Sequence, residues 1–204
     1  MPIFIGILLG LSTLLFIGPV LFYLMKSSLE SGVRAGIAVA LGIIVGDIIC
    51  VILAAKGLGV IFEHTVNQRW LALAGGIILL SMGIKYIVKP TANTNTEGKF
   101  QSKFLWTYAV NGFLINFLNP FVFAVWIGYY SFNQEVFDSE FEIFLSLLAS
   151  LLTIFLTDCL KSVFAFKLKR YIQPKHLKVL FQLVGIVMVA FGIRLLLSSL
   201  HYQF

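Results

Sequence analysis

Long uncharged runs separated by short polar joints dominate the chain. Residues 1 to 25 contain no Asp, Glu, Lys, Arg or His, and such a run crosses about 30 Å of hydrocarbon as a helix. Together with five later apolar runs it predicts six spans, at approximately 3–25, 36–61, 70–88, 104–130, 142–167 and 178–199. The polar stretch KPTANTNTEGK, Lys89 to Lys99, divides the chain near its middle and reads as a flexible connection. The expected organisation is a three-helix unit over 1–88, a cytoplasmic linker over 89–103 and a second three-helix unit over 104–204. The fold class is an all-α integral membrane protein.

The two halves resemble each other. LALAGGIILLSMGIKYI from Leu71 aligns with LFQLVGIVMVAFGIRLL from Leu180, so Gly76 and Gly83 recur as Gly185 and Gly192. FIGPVLF parallels FLNPFVF, and VGDIIC parallels LTDCLK, so that Pro19 answers Pro120 and Asp47 answers Asp158. Chance likeness between apolar helices explains scattered Leu and Ile matches. It explains less easily a proline pair and an aspartate pair in the same order. With an odd number of spans per half, the second half enters the membrane from the opposite side. Inverted repeats of this kind underlie many secondary transporters, whose sites lie near the midplane between the halves.

Composition and charge agree with a membrane protein. Apolar residues make up 59%, charged residues 12%, and the mean hydropathy is +0.97. The formal charge of +6 comes largely from bases assigned to joints between spans, which argues for membrane orientation and against nucleic acid. Lys26 and Arg34 fall at the first joint, Lys85, Lys89, Lys99 and Lys103 at the third, and Lys161, Lys167, Lys169, Arg170, Lys175 and Lys178 at the fifth. These are 12 of the 15 bases, whereas the fourth joint carries Glu135, Asp138, Glu140 and Glu142. Odd joints are therefore expected in the cytoplasm and both termini in the periplasm. The first run has no basic segment before it and no A-x-A-like site after it, so it reads as a span and not as a signal peptide.

Asp47 and Asp158 lie near the middles of spans 2 and 5. An aspartate at a helix centre costs about 2.5–3.5 kcal/mol on insertion scales, and intramembrane acids commonly mark ion pathways or proton relays. The structural alternative is a paired acid, and for Asp158 a partner stands three residues on, at Lys161. Gly18-Pro19 and Asn119-Pro120 are expected to break spans 1 and 4, freeing backbone groups that must be satisfied in protein or a wet cavity. Asn116 and Asn119 place two amides on a similar face. Gly36, Gly42 and Gly46 read mainly as a packing face. Ser146, Ser150, Thr153, Thr157 and Lys161 form a polar stripe that either lines a hydrated path or bonds to its own helix. Tyr129, Tyr130, Trp70 and Tyr171 are placed at membrane interfaces.

The Gly-Pro of span 1, the stretch GVRAGIAVALGIIVGD and the Asn-Pro of span 4 together resemble the LysE/RhtB family of amino-acid exporters. The likeness extends over the whole chain in length, span count and motif order. It implies a bacterial inner-membrane efflux carrier driven by the proton gradient, with motif residues at Gly18, Pro19, Gly36, Gly42, Gly46, Asp47, Asn119 and Pro120. Two departures stand out. Ile17 replaces the first proline of a frequent Pro-Gly-Pro, and Phe121 stands where a lysine often follows Asn-Pro.

The expected function is secondary transport of amino acids or related metabolites by proton antiport through a site of Asp47, Asp158, Gly18, Pro19, Asn116, Asn119, Pro120 and Lys161. Its partners are the solute, protons and the lipid bilayer, with a homo-oligomer left open, no nucleic acid, no resident metal and no cofactor. Cys50 and Cys159, close to the two aspartates, keep a divalent or soft-metal exporter as the alternative. An intramembrane enzyme is disfavoured because His64, His176 and His201 are assigned to joints or the terminus. A scaffold has little reason to place acids and breaks at matching depth.

Overall fold

A computed structural model describes residues 1–16, 18–56, 65–88, 102–168 and 174–201. Regular structure among them is entirely helical. The run expected as the first span is broken, as its Gly-Pro predicts. Helix α1 (Pro2–Ser12) tightens into a 3-10 turn at Thr13–Leu15, and the backbone is extended at Phe16 and Gly18 before α2 (Pro19–Ser31). The two segments meet at 79°. Proline suits the first turn of α2 because no intrahelical donor is lost there.

After α2 comes α3 (Val33–Ala55), joined to it by Gly32 alone. Gly32 has φ +90°, open to a residue without a Cβ, so the first joint is one residue long. The bases assigned to that joint therefore belong to helices. Arg34 lies in the first turn of α3, and Lys26 in α2 is only 4% exposed. Glu30 one turn on, at 3.6 Å, and the face of Tyr86, 3.0 Å from the ammonium nitrogen, compensate its burial.

Helix α4 spans Thr65–Val88, and the linker 89–101 lies outside the described residues. The run expected as the fourth span is broken like that expected as the first. Helix α5 (Ser102–Phe117) leads through extended backbone at Asn119 into α6 (Pro120–Val136), bent by 68°. Helices α7 (Glu140–Leu168) and α8 (Pro174–His201) complete the bundle. His176 and His201 thus lie within α8 and not in a joint, and His64 is outside the described residues. Lys85, Lys103, Lys161, Lys167, Lys175 and Lys178 likewise fall inside helices. By length and composition α3 and α7 each suffice to cross a membrane, as does each bent pair taken as one span. The apolar stretches of α4 and α8 are shorter, Gly75–Val88 and Gln182–Leu197.

Packing follows the small residues. Helix α1 lies against α7, α5 against α3, and α4 against α8. A Cβ at Gly42 would strike the Ala109 carbonyl, and one at Gly36 the Ser162 hydroxyl. Gly76 faces Gly192 and Gly83 faces Gly185, so four glycines meet in two pairs where α4 crosses α8. Absent side chains let the backbones approach, which in lipid replaces the hydrophobic drive available in water. Tyr129, assigned to an interface belt, ties α6 to α1: its hydroxyl donates to Leu9 O at 2.8 Å and lies 2.6 Å from Ser12 Oγ.

Candidate functional site

Asp47 is 4% exposed on the inner face of α3. Its Oδ1 accepts from Asn116 Nδ2 at 2.8 Å and from Trp126 Nε1 at 2.9 Å. Asn116 stands before the break between α5 and α6 and Trp126 after it. A straight helix would carry residues ten apart nearly three turns along its axis. The 68° bend brings both donors to one carboxylate. Asn116 also donates to Ile43 O at 3.1 Å, which fixes its amide against α3. Gly46 makes room for it, since a Cβ there would lie 3.1 Å from Asn116 Nδ2. Gly46 thus supports the carboxylate as well as the helix crossing.

Asp158 is held differently. Lys161 Nζ donates to its Oδ1 at 2.8 Å from the next turn of α7. One acid is paired with a cation, and the other accepts only from neutral groups. Three more members of the polar stripe on α7 turn to backbone, while the buried Ser146 Oγ has no hydrogen-bond partner among the described residues. Thr153 and Thr157 donate to Ala149 O and Ile154 O, and Ser150 to Ser146 O and Gly6 O. Only Lys161 of that stripe lines the cavity described next.

Both aspartates border a cavity of about 420 Å³, within the size range of small-molecule sites. Both breaks open onto it, through Phe16, Gly18 and Pro19 on one side and Asn119 and Phe121 on the other. Thr13, Asn116, Trp126, Lys161 and Arg194 also line it, and the remaining wall is apolar, including Leu21, Val122, Val125, Ile154 and Phe191. Of the residues expected at the site, Asp47, Asp158, Gly18, Pro19, Asn116, Asn119 and Lys161 are brought together. Pro120 acts through the backbone, opening α6, while Asn119 Oδ1 accepts from Phe121 N–H at 3.1 Å and caps that helix. Gly36 and Gly42 stand at helix crossings away from the cavity.

The model of one family, described as LysE type translocator, matches residues 11–199. The chain belongs to that family. No solved structure matches it. A LysE type translocator moves a small solute across a membrane, and a part-polar cavity between apolar helices is where such a solute can lodge. Three polar lining residues escaped the sequence reading of this translocator as site members: Thr13, Trp126 and Arg194. Trp126 sits in an apolar run where an indole passes for packing; its signal is the N–H, which needs a partner when buried. Arg194 lies near the end of the repeated stretch LFQLVGIVMVAFGIRLL, where sequence gives no sign that it borders a cavity.

Proposed function

We propose that the chain is a six-span secondary transporter, built of two inverted three-helix halves, which exports amino acids or related metabolites in exchange for protons. Its setting is the bacterial inner membrane, with both termini in the periplasm. The observation that carries this reading is Asp47, a buried carboxylate bordering the cavity and held by two neutral donors. Both hydrogen bonds end on Oδ1, leaving Oδ2 for a proton or a solute ammonium group. Two ligands competing for one carboxylate give obligatory exchange: the proton leaves when the ammonium binds, and the reverse occurs on the other side. Asp158, with Lys161 on it, serves as a fixed dipole in the wall.

The packing supports inverted halves. In the repeat register α1 corresponds to α5 and α3 to α7, so the contact of α1 with α7 is answered by that of α5 with α3. Likewise the contact of Gly76 with Gly192 is answered by that of Gly185 with Gly83. A two-fold axis in the membrane plane produces both correspondences.

The start of α2 supports a carboxylate-bearing solute. Its N-cap is Gly18, which has no side chain to satisfy the first-turn N–H groups, and Val20 and Leu21 line the cavity. A helix N-terminus left open to a cavity favours an anion. The metal-export alternative has less to stand on. Cys50 packs with Phe123 and Trp126, Cys159 packs against a different apolar cluster, and neither borders the cavity.

The test is proton movement in inverted membrane vesicles that have been acidified inside by respiration. Amino acids and divalent ions are added one at a time. Proton release driven by particular amino acids supports the proposal. Release driven by divalent ions alone would transfer the function to metal export.

A further inference from the structure

Resting on the amino-acid reading above, we infer that the cavity selects amino acids with apolar, uncharged side chains, and that Phe121 and Phe16 form the selecting wall. Four ionisable groups border the cavity, Asp47 and Asp158 against Lys161 and Arg194, so its formal charge is zero. A zwitterion with a neutral side chain keeps that balance. Its ammonium faces Asp47, and its carboxylate faces the open start of α2 and Arg194. A basic amino acid adds one positive charge that no remaining acid answers, because Asp158 already accepts from Lys161 at 2.8 Å. An acidic amino acid adds a negative charge beside two carboxylates.

Apart from Thr13 and the two asparagines, the wall left for the side chain is apolar. Phe16, just before the first break, and Phe121, just after the second, meet edge to face with ring centroids 5.1 Å apart. Both rings line the cavity, so the two breaks jointly present one aromatic wall. Phe191 and Ile154 also line the cavity, from α8 and α7. None of these four side chains offers a hydrogen bond to a hydroxyl, amide or ammonium group. A polar side chain would lose its water there without compensation, whereas an apolar one gains from burial.

The experiment is exchange of radiolabelled leucine in vesicles reconstituted with the purified protein, competed by unlabelled amino acids. Leucine, methionine and phenylalanine are expected to compete about tenfold or more better than lysine, serine or glutamate, the range apolar pockets achieve per small group. In Phe121→Lys the preference for leucine over glutamate should shrink about tenfold, since the wall acquires a cation. A ratio of two solutes does not move when a variant merely folds less well. Equal or better competition by lysine or serine would overturn the inference and leave the amino-acid reading intact. If no amino acid exchanges at all, both fall.

Discussion

Asp47 and Asp158 look alike in the chain, each an acid amid apolar residues, yet their surroundings differ. An acid held by amide and indole N–H groups can change its charge without breaking an ion pair. One that grips a lysine cannot do so as cheaply. Trp126 is therefore as much a part of the site as Asn116. A hydrogen bond to a charged group contributes about 1.5–3 kcal/mol, so Trp126→Phe, which keeps an aromatic ring, should lower solute exchange about tenfold or more. Initial rates in reconstituted vesicles measure this; wild-type rates would remove Trp126 from the site. For the ion pair, Lys161→Met should destabilise the protein by about 3 kcal/mol, because it leaves a buried carboxylate without its partner. Adding Asp158→Asn should recover much of that loss. Thermal unfolding of both variants in detergent reads the difference, and a double variant less stable than the single one would contradict it. The pairing of Asp158 was legible from its three-residue spacing to Lys161. The indole on Asp47 was not, because sequence spacing cannot show that a bend folds residues 116 and 126 onto one carboxylate.

The elements carry their breaks in plain letters. Gly-Pro and Asn-Pro announce where helices must stop, and α2 and α6 begin at those prolines. What the letters omit is angle: proline says that a helix is interrupted, while tertiary packing sets bends of 79° and 68°. The joint at Gly32 was harder to read. Lys26, Glu30 and Arg34 suggest a solvated loop, but an i,i+4 ion pair and the Tyr86 ring allow Lys26 to be buried within a helix. Glycine spacing gave the helix crossings more reliably. Since a Cβ at Gly42 would meet the backbone carbonyl of Ala109 and not a movable side chain, Gly42→Ala should force α3 and α5 apart. The expected cost is about 1–3 kcal/mol, as for other overpacked cores, again read by thermal unfolding. The site should suffer too, because Asn116 lies on α5 and Asp47 on α3. An alanine variant as stable as the parent would show that the crossing is looser than drawn here.

At the scale of the whole molecule, internal likeness between the halves implies more than its scattered identities suggest. Matching glycines and prolines recur because α1 meets α7 as α5 meets α3, and the cavity lies where both breaks converge. The halves are not copies, however. Asp47 answers Asp158 in register, yet only one of them has a lysine one turn on, and for that reason the proposed exchange is placed at Asp47. The most direct measurement is solute-driven proton release in inverted vesicles containing Asp47→Asn or Asp158→Asn, at matched protein levels. Asp47→Asn should abolish proton release, and Asp158→Asn should leave a reduced but measurable response. Proton release that persists in Asp47→Asn would contradict the central claim and move the proton to another group.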